Sequence, residues 1–157
     1  MIHKIYNVLS DEDRKKIIKE AKPYLREWSA AHPGKQTHSS LHEATSYFSF
    51  VVETIVLKMN QKTGFNLVPL RSWINWTNGK KKDIAWHSHN RHDYALVYYM
   101  KTFPFFSNGT LFREPIGFVK APQNSLILFP GRWEHSAPSS LFRFSRYTVA
   151  INLNIRT

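Results

Sequence analysis

Three histidines have the type and spacing for metal chemistry: His87 and His89 in Trp86-His87-Ser88-His89, and His135 in Glu134-His135-Ser136. In an extended strand residues i and i+2 share a face, so the first two imidazoles project together. His135 opens another short run after the Pro130-Gly131 turn, and strands this distant in sequence become neighbours in a jelly roll. Three side chains on one face of an octahedral ion leave three positions open, the arrangement with which non-haem Fe(II) sites hold a co-substrate and O₂. The usual set is two histidines and a carboxylate, and the C-terminal half offers Asp83, Asp93, Glu114 and Glu134. Asp93 is the strong acidic candidate. Glu134 adjoins His135 and faces the other way on a strand, while Asp83 compensates Lys80-Lys81-Lys82. The third ligand is therefore His89 or, alternatively, Asp93.

A second constellation lies on the last apolar run, Arg146-Tyr147-Thr148-Val149-Ala150-Ile151-Asn152, where Arg146, Thr148, Ala150 and Asn152 share one face. A guanidinium turned into a barrel needs an anion, and a carboxylate matches its planar fork. The bland alternative is a surface arginine on an edge strand. In Val97-Tyr98-Tyr99 one phenol must face inward, and Asn75 in Ser72-Trp73-Ile74-Asn75-Trp76 is either paired structurally or aimed at a ligand.

The elements that position these groups divide into two halves. Ser10 caps a helix with Asp11, Glu12 and Asp13 in its first turn and Ile17, Ile18, Ala21, Leu25 and Trp28 at helical spacing, with Pro23 kinking or splitting it. After a polar stretch with a Pro33-Gly34 turn, Phe48, Val51, Val52, Ile55, Val56 and Met59 form one helical stripe that Gly64 closes. From Phe65 onward short β-branched and aromatic runs separated by turns predict strands at Leu67–Trp76, Ile84–His89, Ala95–Lys101, Thr110–Arg113, Gly117–Lys120, Ser125–Phe129, Glu134–Ser136 and Arg146–Ile155. The expected class is α+β: an antiparallel, cupin-like jelly roll with N-terminal helices on one sheet. A single domain over 1–157 is expected, with 1–64 mainly helical support and 65–157 the jelly-roll catalytic core.

Composition sets the bounds. A chain of 157 residues that is 42% hydrophobic supports one core, and 15% aromatics with 6 Gly and 8 Pro excludes collagen-like, coiled-coil and disordered classes. With 0 Cys any metal is held by nitrogen and oxygen. No membrane-spanning run and no leader-like start are visible, so a cytoplasmic location, in a bacterium or a phage-infected cell, is expected. The net charge of +11 suits an anionic or macromolecular partner without naming one.

In order and spacing, Ser72-Trp73-Ile74-Asn75, His87-Ser88-His89, Val97-Tyr98-Tyr99, Leu126-Ile127-Leu128-Phe129-Pro130, Glu134-His135-Ser136 and Arg146-Tyr147-Thr148…Asn152 resemble the Fe(II)- and 2-oxoglutarate-dependent oxygenases of the double-stranded β-helix fold. The chain is most similar to a small group of these common in bacteria and marine phages, over Ser72 to Leu153 and more loosely through Gln36-Thr37…Leu41-His42. The resemblance implies that His87 and His135 bind iron and that Arg146 with Thr148 receives the distal carboxylate of 2-oxoglutarate, which Tyr99 also contacts. It departs from the superfamily's His-x-Asp at His87-Ser88-His89, a form the small group often shows. A dioxygenase hydroxylating a C–H bond with release of succinate and CO₂ is implied. Its substrate would meet the mouth loops, with Arg91, Arg132 and Trp133 as contacts. His92 reads as a solvated loop residue. Two other readings stand beside this one: a cupin-like three-histidine metalloenzyme without 2-oxoglutarate, and a basic nucleic-acid-binding module using Lys80, Lys81, Lys82, Lys101, Arg113, Lys120 and Arg132.

Overall fold

The computed structural model describes residues 1–27, 34–78, 84–103, 108–138 and 144–157. The chain opens with strand β1 (His3–Tyr6) and helix α1 (Asp11–Ala21). The Ser10 hydroxyl accepts from the Asp13 amide at 3.0 Å, and three acids in the first turn favour the positive helix end. The helix ends at Ala21, before a short 3-10 turn over Lys22–Tyr24. Pro23 supplies no N–H to continue it, so Leu25 falls outside the helix and Arg26–Glu27 form β2, contrary to the helical spacing; Trp28 and Pro33 lie outside the described residues. Strand β3 (Gly34–Gln36), a short α2 (Leu41–Ala44) and the long α3 (Ser46–Thr63) follow. Thr45 accepts from the Phe48 amide at 3.0 Å, Gly64 takes the left-handed closing position at φ 74°, and the expected stripe from Phe48 to Met59 is buried.

The rest is β: β4 (Leu67–Thr77), β5 (Tyr94–Lys101), β6 (Gly109–Phe112), β7 (Phe118–Lys120), β8 (Ser125–Pro130), β9 (His135–Ser136) and β10 (Arg146–Ile155). Together with β1, β2 and β3 they form a seven-stranded sheet in the order β1-β8-β5-β10-β4-β3-β2 and a three-stranded sheet β7-β6-β9, with antiparallel ladders throughout. Segments of the N-terminal half, β1 at one edge and β3 with β2 at the other, thus complete the large sheet, which the polar character of β2 and β3 concealed.

Period-two alternation splits the core in two. On β10, Tyr147, Val149, Ile151 and Leu153 face the helices and pack with Val51, Ile55 and Met59, while Arg146, Thr148, Ala150 and Asn152 face the small sheet. The inner layer holds Tyr99, Ile127 and Phe129 from the large sheet against Phe112 and Val119 of the small one. Because β10 lies between β4 and β5, it is a central strand and not an edge.

One expected strand is largely absent. Ile84–His89 forms no strand: His87 makes an isolated bridge to His135, the two residues exchanging both backbone hydrogen bonds at 3.0 and 2.9 Å, and the Ile84 amide donates to Ala137 O at 3.0 Å. The ladder stops because the next step, His89, gives its amide to Gly131 O at 2.7 Å instead. Among the described residues no helix is long and apolar enough to cross a membrane.

Candidate metal centre

His87, His89 and His135 each place a ring nitrogen within 4.8 Å of the others, at the open edge between the two sheets. Ring centroids stand 4.3 Å apart for His87 and His135, and 5.2 Å apart for the two pairs containing His89. His135 is held from below by Phe129, 4.7 Å away, and by Phe112 at 5.9 Å. The cluster grades from the buried His135 through the half-buried His89 to the exposed His87, so an ion there would be gripped by protein on one side and open to solvent on the other.

The tautomers are prepared for ligation. His87 Nδ1 donates to Ala85 O at 2.8 Å and His135 Nδ1 donates to Trp133 O at 3.0 Å. A carbonyl only accepts, so both protons sit on Nδ1 and leave each Nε2 lone pair free, the pairing typical of metal-bound histidine. Burial pushes His89 down to about 3, with His135 and His87 adding to the effect, and pushes His135 down to about 4, with His87 contributing. Both rings are therefore neutral at neutral pH, the form in which an imidazole can bind a metal ion.

A pH dependence follows. In the unfolded chain these histidines take up protons near ~6.5, whereas in the fold they resist until about 4 and about 3. The unfolded state binds more protons in that window, so the stability these two neutral rings contribute to the metal-free protein is fully present above pH ~6.5 and is lost as pH falls through about 4 and about 3. Urea midpoints across that range will fall with acidification, and the His89→Phe, His135→Phe double variant will flatten the slope.

His89 owes its place to Gly131. A Cβ on Gly131 would stand 2.2 Å from His92 O and 2.8 Å from His89 O, contacts that only a backbone shift relieves. Gly131→Ala should displace the His89–His92 segment, destabilise the fold by roughly 2 kcal/mol or more, and weaken metal binding even though no ligand is removed. Chemical denaturation and metal titration of this variant measure both effects.

Deeper in the barrel a polar row crosses the large sheet. Thr148 is paired in register with Asn75 on one side and Tyr99 on the other, so the three side chains share the inner face. Tyr99 reaches across to hydrogen-bond with Thr110 of the small sheet, and its burial raises its pKa. Tyr98 points the opposite way, donating to Asn124 Oδ1 at 2.8 Å. The Arg146 guanidinium lies 5.5 Å from the Tyr99 ring centre and donates to Pro138 O at 3.5 Å. Among the described residues no carboxylate pairs with it. Desolvation lowers its pKa, with Tyr99 opposing, as expected for a cation awaiting an anion.

The other candidates fall in different places. Asp93, the alternative third ligand, is not part of the cluster: its carboxylate accepts from the Ile155 amide at 2.9 Å, and its own amide donates to Asn154 Oδ1 at 3.1 Å, which secures the start of β5 to the end of β10. Glu134 pairs with Arg113 at 3.1 Å, and Arg113 lies over the Trp86 ring at 4.0 Å. Arg91 and Arg132 are exposed on the two loops joined by the His89–Gly131 hydrogen bond. Trp133 packs edge-on against Phe112 at 6.0 Å within the inner core. His92 is half-buried and its Nδ1 is shielded without a partner, so it is less exposed than expected for a solvated loop residue. Lys101 sits 5.5 Å from the Phe144 ring centre, Lys120 is exposed, and Lys80, Lys81, Lys82 and Asp83 lie outside the described residues.

Sequence reasoning passed over Trp73. It alternates with Asn75 on the inner face of β4, and its indole is 6.0 Å from the His89 ring. Trp73 Nε1 and Asn75 Oδ1 are both shielded from solvent and have no hydrogen-bond partner. The signal was present in the period of Trp73-Ile74-Asn75, but tryptophan in a strand ordinarily reads as packing.

No family model matches the chain, and no curated protein matches it in sequence. Solved structures do match in fold. The non-heme alpha ketoglutarate dependent epimerase SnoN from nogalamycin biosynthesis superposes with a TM-score of 0.76 at 11% identity, covering 97% of this chain and 76% of that one. HygX from Streptomyces hygroscopicus, with nickel and 2-oxoglutarate bound, gives 0.74 at 10% identity, covering 98% and 82%. A prolyl hydroxylase from Trichoplax adhaerens, in complex with a hypoxia inducible factor peptide fragment, gives 0.68 at 16% identity, covering 98% and 83%. The chain therefore has the jelly-roll double-stranded β-helix of these enzymes.

Proposed function

We propose that this protein is an Fe(II)- and 2-oxoglutarate-dependent oxygenase that hydroxylates a C–H bond, with residues 65–157 as its catalytic core and the first 64 residues as its support. The observation that carries the reading is the occurrence together of a three-imidazole cluster and, on the inner face of the large sheet, a desolvated guanidinium that has no carboxylate partner among the described residues. Likeness to SnoN and HygX, solved with iron or nickel and 2-oxoglutarate bound, supports it.

The residues present fit these groups. His87, His89 and His135 supply three neutral nitrogen donors of the kind Fe(II) accepts, and leave the remaining positions to non-protein ligands. Arg146 offers two parallel N–H donors to a carboxylate, and Thr148 adds a hydroxyl beside it. The Asn75 carboxamide, whose Oδ1 is shielded without a hydrogen-bond partner, stands between the two ends, where a half turn about its last torsion presents its N–H₂ to an oxygen. When bound, iron with 2-oxoglutarate and O₂ supplies the oxidising power, consuming the co-substrate to succinate and CO₂. The chain's own work is placement and dryness. Phe112, Phe129 and Trp133 wall off the lower side of the cluster, and the Tyr99–Thr110 hydrogen bond holds the sheets together over Arg146. Arg91 and Arg132, exposed on the segments joined by the His89–Gly131 hydrogen bond, would meet the substrate.

Three neutral ligands leave the iron one charge unit more positive than a two-histidine, one-carboxylate set, which alters its redox poise. Anaerobic addition of Fe(II) and 2-oxoglutarate tests the proposal. A metal-to-ligand charge-transfer band that requires both components is expected. Iron binding without that band at saturating 2-oxoglutarate would replace this reading with a three-histidine, cupin-like enzyme in which Arg146 is structural.

A further inference from the structure

The inner face of β4 carries a donor that nothing described in the protein uses. Trp73 pairs in register with Ala150 on the central strand, its Nε1 is shielded from solvent, and it has no acceptor. An indole nitrogen can only donate, so no half turn relieves it as one relieves a carboxamide. Buried donors in native interiors nearly always find partners, and one left unpaired destabilises the fold. An acceptor from outside the chain is the physical remedy.

Position narrows what that acceptor is. The indole lies 6.0 Å from the His89 ring, at the histidine end of the polar row. Trp73 is opposite Ala150, and Arg146 is opposite Thr77, four residues away or about 13 Å at ~3.3 Å per residue. The carboxylate that Arg146 grips therefore belongs to the other end of the row, and Ala150, opposite Trp73, offers only a methyl group. Asn75 and Thr148 mark the middle of the row, so a molecule lying along it meets Arg146 first, the carboxamide next and the indole last.

We propose that Trp73 Nε1–H donates a hydrogen bond to the 1-carboxylate of 2-oxoglutarate, the end that faces the histidine cluster, and so orients the reactive end of the co-substrate. This rests on the oxygenase reading above. An ionised oxygen is the strongest acceptor available at that end, and a carboxylate has more lone pairs than chelation occupies.

Indole signals of the ¹⁵N-labelled full chain loaded with Zn(II), a diamagnetic stand-in for iron, test the assignment without turnover. The 5 tryptophans give five indole N–H resonances, and Trp73→Phe identifies the relevant one. Zn(II) alone should leave it in place. Added 2-oxoglutarate should move it downfield and slow its exchange with solvent by ~10-fold or more. Trp73→Phe, which keeps the packed ring, should weaken 2-oxoglutarate binding ~10-fold while Zn(II) affinity is unchanged. If that variant does not fold, Trp→Phe changes at the other four positions assign the signal by elimination and the wild-type titration decides. A Trp73 signal that stays still while other resonances saturate with 2-oxoglutarate overturns this assignment alone. A spectrum in which 2-oxoglutarate moves nothing overturns the oxygenase reading with it.

Discussion

Replacing His135 with alanine is expected to lower the affinity for Fe(II) or Zn(II) by at least ~100-fold, since disturbing a ligand's hydrogen-bonded support alone lowers it 10–100-fold. His135 is the most enclosed of the three imidazoles, at 5% exposed, and its ring is fixed by the Trp133 carbonyl and by Phe129. Only two of the three nitrogens would then remain. The fold should survive, because removing a buried neutral ring leaves a void whose destabilisation is about 2–3 kcal/mol in a site that can partly collapse. Competition against a chromophoric chelator measures the affinity, and thermal melts with and without Zn(II) show whether metal still stabilises the variant. His92→Ala is the matched control. His92 follows His89 by three residues but is outside the cluster, so its loss should leave affinity within a few-fold of the parent. Equal losses in the two variants would mean that the cluster is not the metal centre.

Arg146→Met should move two quantities in opposite directions. The affinity for 2-oxoglutarate should fall by ~100-fold, about 2.7 kcal/mol, while iron affinity is unchanged. Without ligand, the same variant should be more stable than the parent. A desolvated guanidinium with no carboxylate partner among the described residues is expensive to hold, and an apolar side chain of similar length removes that penalty. A gain of about 1 kcal/mol raises the melting temperature by ~2–4 °C at this chain length. Arg146→Lys should lie between the two, retaining charge but losing the planar fork. Calorimetric titration and melting curves of the ligand-free variants separate binding from stability. An apo protein destabilised by Arg146→Met would show that the guanidinium serves the fold rather than a ligand.

The parts of the site legible in sequence were those governed by local periodicity. Arg146, Thr148, Ala150 and Asn152 share a face because β10 is one uninterrupted strand from 146 to 155, so counting by two was sufficient. The α3 stripe and its Gly64 stop were equally readable, since each depends on neighbours within four residues. Periodicity served less well at His87 and His89. The two rings do converge, but through one bridge and a loop rather than through the expected strand. The first helix is shorter than its apolar spacing predicts, because that spacing continues past Pro23 while the helical hydrogen bonding does not.

By itself, then, the sequence determined which residue types were available, which of them share a face within each element, and that helices would back a β-rich half. Tertiary structure alone decided that β10 is central, that His89 rather than Asp93 stands beside His87 and His135, and that Trp73 Nε1 has no hydrogen-bond partner among the described residues. The reason is that each of these outcomes depends on pairing between segments tens of residues apart. Asp93 is withdrawn by Ile155, 62 positions later, and His89 is placed by a glycine 42 positions away on another loop. Local propensity sets which way a side chain points along its own strand, but register between distant strands sets what it meets.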